Sequence, residues 1–243
     1  MKKISKPNVP IIPHSFRYDE KDPLFAKNLK EKQRSIRDGF PESLGLRVHR
    51  SLSWLSRAEE FSDDLDIRFI LLWIGFNSAY ASSITRPDVT DAKDGERGMF
   101  REFFQILTGL DADRRIYSII HGRFEKEIRV LLGNQHVFHP FWQHENGVPG
   151  YEDWKDKLSI GRRKINRAYV ERDTLTILSI LFDRLYVLRN QVMHGSATWN
   201  SAVNRSQVRD GASILASLLP VFIDLMMDNS QHDWPMPSYP VVD

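Results

Sequence analysis

The placement of proline constrains this chain more than any other feature. Residues 42–86, 88–139 and 150–219 contain none of the twelve prolines, whereas four crowd into 7–23 and three into 235–240. An interior proline costs a helix about 3 kcal/mol, because it removes a hydrogen bond and its ring strikes the preceding turn. Three long proline-free spans therefore predict helices over 44–61, 65–85, 96–107, 113–120, 124–132, 154–171, 174–194 and 203–228. No run of β-branched residues at period two competes with them, so the expected class is all-α. Local punctuation agrees. Asp63 or Asp64 can cap the second helix, Arg86-Pro87 can end it, Asp173 can cap the seventh, and Gly195 stands where a left-handed residue belongs after His194. Pro220 is expected to kink or divide the last helix.

The second helix carries RFILLWIGFNSAY, apolar on most sides, with Gly75, Ser78, Ala79 and Ala81 keeping one side thin. Such a helix belongs at the centre of a bundle, where small residues allow close approach. Asn77 then needs a partner inside that core. A chain of 243 residues can bury about 70% of the surface it exposes when unfolded, so a sizeable core is available. With no Cys, disulfides, thiolate nucleophiles and Cys-based zinc sites are excluded. The longest apolar stretches, 69–84 and 212–227, contain Asn77 in one and Pro220 and Asp224 in the other, and are expected to be too short and too polar to span a bilayer. The N-terminal MKKISKPNVPIIPHSF lacks the apolar run of a secretory signal, and a cytoplasmic location is expected.

A net charge of +2 hides an uneven distribution. Residues 1–38 hold ten Lys/Arg and five acids, a net +5, which leaves −3 for the rest. The chain therefore divides into a basic N-terminal arm (1–38), a helical domain (39–229) and a C-terminal tail (230–243). Both ends are expected to lie on the surface or to be disordered.

The seventh helix reads TLTILSILFDRLYVLRNQVMH. Leu175, Leu178, Phe182 and Leu185 follow steps of three and four, and the series runs on into Arg189 and Val192. A guanidinium at that place must reach solvent, pair with an acid or meet an anion. At about 100° per residue, Asp183, Asn190 and His194 fall within about 20° of one another, and Asn190 and His194 are close enough to touch. Asp183 either joins that group, neutralises Arg184 or pairs with another neighbour. An ordinary helix end, with Arg and His favouring the dipole, accounts for the same residues.

The run Leu188-Arg189-Asn190-Gln191-Val192-Met193-His194-Gly195 resembles the Arg-polar-x₃-His signature of the HEPN (higher eukaryotes and prokaryotes nucleotide-binding) superfamily of all-α bundles. Its place at the end of a long helix followed by one more long helix fits that family, and RFILLWIGFNSAY looks like one of its early core helices. The resemblance implies a HEPN-like bundle, to which the charge and proline pattern adds extra peripheral helices and a basic extended N-terminal arm. It also implies a metal-independent endoribonuclease of toxin or antiviral-defence type, with no cofactor and with two motifs facing each other in a homodimer. Arg189, Asn190 and His194 are then the catalytic residues and RNA is the substrate. An antitoxin or regulatory partner is compatible with that context. Some toxin members carry Tyr two places after the His, where a nucleotidyltransferase modifies it. Ser196 stands there instead, so that route of neutralisation is not implied.

The chemistry is consistent with the residue types. Metal-free RNA cleavage needs a group to take the 2′-OH proton, a donor for the leaving 5′-oxygen, and cations around the phosphorane. An unperturbed imidazole titrates at about pH 6.5 and serves either proton-transfer role, while Arg offers permanent, bidentate phosphate recognition. His194 is thus expected to transfer protons, Arg189 to hold the phosphate, and Asn190 to orient His194 or the phosphate.

Three other features compete for a role. Lys155, Lys157, Arg162, Arg163, Lys164 and Arg167 form a basic strip that is either a solvated helix face or, with Lys155, Arg162, Arg163, Lys164 and Arg167 in contact, a track for an RNA backbone. His136, His139 and His144, with Glu145 or Asp153, have a spacing that can ligate zinc, but their loop has no helical register, and no metal is expected. Phe138, Phe141, Trp142, Tyr151 and Trp154 in that loop are expected to seal it onto the bundle rather than to stack bases. No Gly-rich phosphate loop, GxSxG elbow or paired-carboxylate motif is present. The alternative to an enzyme is a non-catalytic helical module that binds RNA or nucleotide, or that dimerises.

Overall fold

The computed structural model describes residues 21–81, 92–196 and 198–239, with side chains for all of these except 92–97. Ten α-helices follow in order among the described residues: α1 (Ala26–Ile36), α2 (Glu42–Glu60), α3 (Leu65–Tyr80), α4 (Ala92–Leu110), α5 (Arg115–Ser118), α6 (Glu125–Gly133), α7 (His139–Glu145), α8 (Trp154–Glu171), α9 (Thr174–Met193) and α10 (Arg205–Asp228). No strand occurs among the described residues, so the fold is all-α as expected. α3 stops at Tyr80 rather than continuing to residue 85, since Ala81 turns to extended backbone at φ −64°, ψ 130°; the expected stop at Arg86-Pro87 lies outside the described residues.

The core is built around α3. Asp64 caps it, its Oδ1 accepting the amides of Asp66 and Ile67 at 3.1 and 3.0 Å. Gly75 lets its neighbours approach, because a Cβ there would lie 2.8 Å from Leu219 Cδ2 of α10. On the α2 side, Ser51 Oγ donates to the Gly75 carbonyl at 3.0 Å. Phe76 is the centre of an aromatic cluster, with ring centroids 4.4 Å from Phe182 of α9, 4.6 Å from Tyr80 and 5.6 Å from Phe100 of α4. Asn77, expected to find a partner in this core, instead keeps a buried Oδ1 with no hydrogen bond among the described residues.

α10 runs unbroken through Pro220, which is fully packed, so the helix neither ends nor divides there. Tertiary burial of this helix outweighs the local proline cost of about 3 kcal/mol. At 24 residues α10 outruns the sixteen-residue stretch read from the sequence, and by length and composition it is apolar enough to cross a membrane. Most of it is packed among the other helices, and it carries the buried Asp210 and Asp224.

The described part of each end, 21–38 and 230–239, packs on the bundle rather than forming the expected loose arm; residues 1–20 and 240–243 lie outside the described residues. Directly after Pro23, α1 places Ala26, Leu29 and Gln33 on one buried face, the i, i+3, i+7 spacing of an amphipathic helix. Its first amide, that of Ala26, donates to Glu59 of α2 at 3.0 Å. Lys32 binds Asp224 at 2.7 Å and also Asp228, while Arg115 reaches the other Asp224 oxygen at 2.5 Å. In the tail, Trp234 is buried, and Arg47 donates to the carbonyls of Pro235 and Ala79 at 2.7 and 2.6 Å. The helix expected over 113–120 is only one turn, α5, followed by a π turn at Ile119–Arg123. That turn brings His121 to 3.1 Å from Thr174 Oγ1 at the start of α9.

Candidate functional site

α9 is positioned from both ends. Asp173 caps its start, accepting the Thr176 amide at 2.9 Å. Its end is a complete left-handed stop: Gly195 has φ +69°, the Ser196 amide donates to the Gln191 carbonyl at 2.9 Å, and the Gly195 amide to Val192 at 3.4 Å. His194 is the residue at which the helix closes, its amide bonded to the Asn190 carbonyl at 2.9 Å. The imidazole is therefore held on fixed backbone but projects into solvent.

Arg189 is half-buried, the compromise expected where an apolar seam meets a charge. Its Nη1 donates to Asn190 Oδ1 at 2.8 Å, and its guanidinium carbon lies 5.9 Å from the Tyr186 ring. Among the described residues no carboxylate pairs with it, so its charge stays available to an anion. Asn190 was expected to orient His194 or a phosphate. The structure joins its oxygen to Arg189, and among the described residues no hydrogen bond links it to the imidazole. The physical reason is reach, since Arg189 folds back along its own helix while His194 turns outward at the cap. The three residues thus share one helix end, with Arg189 and Asn190 joined and His194 apart.

Gln191, in the middle of the same run, was passed over in the sequence although a Gln on a buried face must be satisfied on both ends. It is 8% exposed. Its Nε2 donates to the His136 carbonyl and its Oε1 accepts from Asn204 Nδ2 at 2.8 Å. It therefore ties α9 to the segment before α7 and to the residue that precedes α10. The His136 carbonyl also accepts Trp142 Nε1 at 2.7 Å.

The histidine and aromatic segment does seal onto the bundle. Phe138, Phe141, Trp154 and Leu158 form a second buried cluster with Trp142 packed on it, and Phe141 meets Trp154 at 5.0 Å between centroids. The Arg184 guanidinium lies 4.3 Å over Phe138. No group of three metal-ligating side chains occurs among the described residues.

The basic strip lies on α8, which returns antiparallel to α9 through the two residues Arg172 and Asp173. Arg184 Nη2 packs against Gly161. Stepping the antiparallel pair from there brings Lys155 level with Arg189 and Asn190, while Arg163, Lys164 and Arg167 recede along the helix by about 1.5 Å per residue. Lys155 lies over the Trp154 ring at 5.6 Å, Arg162 donates to the Gly133 carbonyl at 2.6 Å, and Arg163 to Ser159 at 3.0 Å. Lys157 and Arg167 pair with Asp153 and Glu171, at 2.7 and 2.8 Å. Arg162 also lines an open groove of about 450 Å³ between α6 and α8 with Arg129, Asn134 and Asn166.

On the other side of the motif, the last turn of α9, the start of α3 and the approach to α10 enclose a cavity of about 160 Å³. Gln191 and Val192 line it from α9, Asp66 and Ile70 from α3, and Trp199 and Arg205 from the connection and α10. Asp66 Oδ2 accepts Arg205 Nη2 at 2.7 Å and the Asn200 amide at 3.0 Å. Nothing in the sequence alone pointed to this cavity, because its walls are more than a hundred residues apart in the chain.

Compared with protein-family models, with curated proteins and with solved structures, the chain gives no match to any of them.

Proposed function

We propose that this protein is a metal-independent endoribonuclease whose active site forms where two copies bring their α9 ends together, acting in a toxin or antiviral-defence setting in the cytoplasm. The observation that carries this reading is the pairing, on one fixed helix end, of an exposed imidazole at His194 with a guanidinium at Arg189 that no carboxylate neutralises among the described residues. In the reaction the ribose 2′-oxygen attacks the adjacent phosphorus and the P–O5′ bond breaks. One His194 accepts the 2′-OH proton and the His194 of a second copy gives a proton to the departing 5′-oxygen. The products are a 2′,3′-cyclic phosphate and a 5′-OH. Arg189 balances the charge that develops on the phosphorane, and Asn190 keeps its guanidinium turned along the helix end. One chain offers one imidazole where acid and base are both required, which is why a second copy belongs in the mechanism. Met193, next to His194 and 51% exposed, supplies apolar surface for such a contact. Of the α8 cations, Lys155 stands level with the site, and Arg162, Arg163 and Lys164, which like it pair with no carboxylate among the described residues, extend positive charge away along the helix for the RNA backbone.

The separation of His194 from the Arg189–Asn190 pair favours a second reading, a helical module that binds RNA without cutting it. Incubating the protein with RNA in EDTA and identifying the product ends decides between them. A ribonuclease gives 2′,3′-cyclic phosphate ends and loses roughly 10²- to 10⁴-fold in rate in His194→Ala, the usual worth of acid–base catalysis. Equal cleavage by wild type and variant removes His194 from the mechanism, and binding without cleavage leaves the module.

A further inference from the structure

The cavity beside the motif has the chemistry of a base-binding site. At about 160 Å³ it is smaller than the ~300–1,000 Å³ typical of pockets for drug-sized ligands, so it takes a single ring system rather than a whole nucleotide. Its walls include the side chains of Ile67, Ile70, Val192 and Val208, which suit a flat aromatic face.

Two acceptor oxygens at its edge are unoccupied among the described residues. Asp66 Oδ2 is already occupied by Arg205 and Asn200, while its Oδ1 receives no donor among the described residues. Asn204 gives one of its two Nδ2 hydrogens to Gln191, and its Oδ1 receives no donor among the described residues, so it can accept from a ligand. With Asp66 Oδ2 ion-paired to Arg205, Oδ1 is an acceptor, so a ligand that meets Asp66 does so through a donor. Trp199 stands at the rim, 71% exposed, with its Nε1 tied to Asp64 Oδ2 at 2.8 Å. A tethered, solvent-facing indole is a stacking surface whose polar end is already satisfied.

We propose that this cavity binds a guanine base, which stacks on Trp199 and donates its N1–H and N2–H₂ groups to Asp66 and Asn204. Uracil and adenine present fewer adjacent N–H donors and fit this edge less well. Val192, in the cavity wall, is three residues from Arg189 and on a neighbouring position of the same side of α9, about 4.5 Å along the axis. A phosphate joined to the bound nucleoside therefore falls within reach of the Arg189 guanidinium. As a substrate subsite the cavity rests on the ribonuclease reading, whereas guanine binding itself does not. The base can belong to RNA or to a free guanine nucleotide.

The test is titration of the full-length protein, by calorimetry, with guanosine 5′-monophosphate, uridine 5′-monophosphate and matched oligoribonucleotides with and without guanine, carrying 2′-O-methyl groups to block cleavage. Guanosine monophosphate is expected to bind more tightly than uridine monophosphate. Trp199→Ala should weaken it roughly 5- to 150-fold, the worth of stacking one base, and Trp199→Phe should recover most of the loss. A preference for the guanine-containing oligonucleotide assigns the base to RNA, and equal oligonucleotide binding alongside tight monophosphate binding assigns it to a free nucleotide. The proposal is overturned if guanosine and uridine monophosphates bind alike, if neither binds, or if Trp199→Ala alters only the oligomeric state in sedimentation. Cleavage in EDTA, run in parallel, separates the two ideas. RNA cutting indifferent to guanine and to Trp199 sinks the subsite alone, while Trp199-dependent guanine binding without cutting sinks the ribonuclease alone.

Discussion

Replacing Gln191 by Leu tests whether this side chain fastens the motif end of α9. The substitution nearly conserves volume but removes the donor to the His136 carbonyl and the acceptor for Asn204 Nδ2. Each hydrogen bond contributes about 1 kcal/mol net, so losing both costs about 2 kcal/mol. The remaining partners moderate that figure rather than enlarge it. Trp142 Nε1 still serves the His136 carbonyl at 2.7 Å, and the Asn204 amide faces a cavity that water can enter. For a chain of this length each kcal/mol shifts the midpoint by about 2–4 °C, so Gln191→Leu should melt about 4–8 °C below wild type. Urea unfolding should show a lower midpoint with an unchanged slope. Gln191→Glu should be worse, because it retains the acceptor but turns a carboxylate oxygen toward a carbonyl. Combining Gln191→Leu with Asn204→Ala should give less than the sum of the two single effects, by at least about 0.5 kcal/mol. A loss below about 0.5 kcal/mol in Gln191→Leu, or strict additivity in the pair, would refute the bridging role.

Substitutions at three further positions probe the frame around the site. Gly195→Ala meets no neighbour but forces an L residue to φ +69°, so it should cost about 1–2 kcal/mol, and Gly195→Asn clearly less, by thermal melting. Gly75→Ala puts a methyl 2.8 Å from Leu219 Cδ2 between α3 and α10 and should cost about 1–3 kcal/mol in urea unfolding. Burial pushes the Glu59 carboxyl up to about 7, against the opposing Ala26 amide and Arg68 charge. Because its folded value lies above its unfolded one, the stability it contributes is complete below about pH 4.3 and is lost as pH rises toward 7. Glu59→Gln keeps an acceptor for the Ala26 amide and should flatten that slope in melting curves taken from pH 4 to 8. A slope unchanged in the variant would assign it to other groups.

Much of the helical frame was legible in the chain itself. The proline-free spans, the Asp64 and Asp173 caps and the Gly195 stop are local signals, and the structure places α3, α8, α9 and α10 close to the expected ranges. The misses share one cause. α1 was hidden by the prolines just before it, and its docking depends on Glu59, Asp224 and Asp228, which are distant in sequence. The tail was likewise read as loose because the carbonyls it offers to Arg47 meet their partner only after folding.

The candidate site divides in the same way. Sequence by itself determined that Arg189, Asn190 and His194 share the end of one long helix, because periodicity and a glycine stop are properties of neighbouring residues. Tertiary structure alone decided that Asn190 serves Arg189 rather than His194, that Gln191 joins three segments, and that Asp66, Asn204 and Trp199 surround a cavity next to the motif. Side-chain partners and cavities are set by which distant surfaces pack together, and no local pattern carries that information.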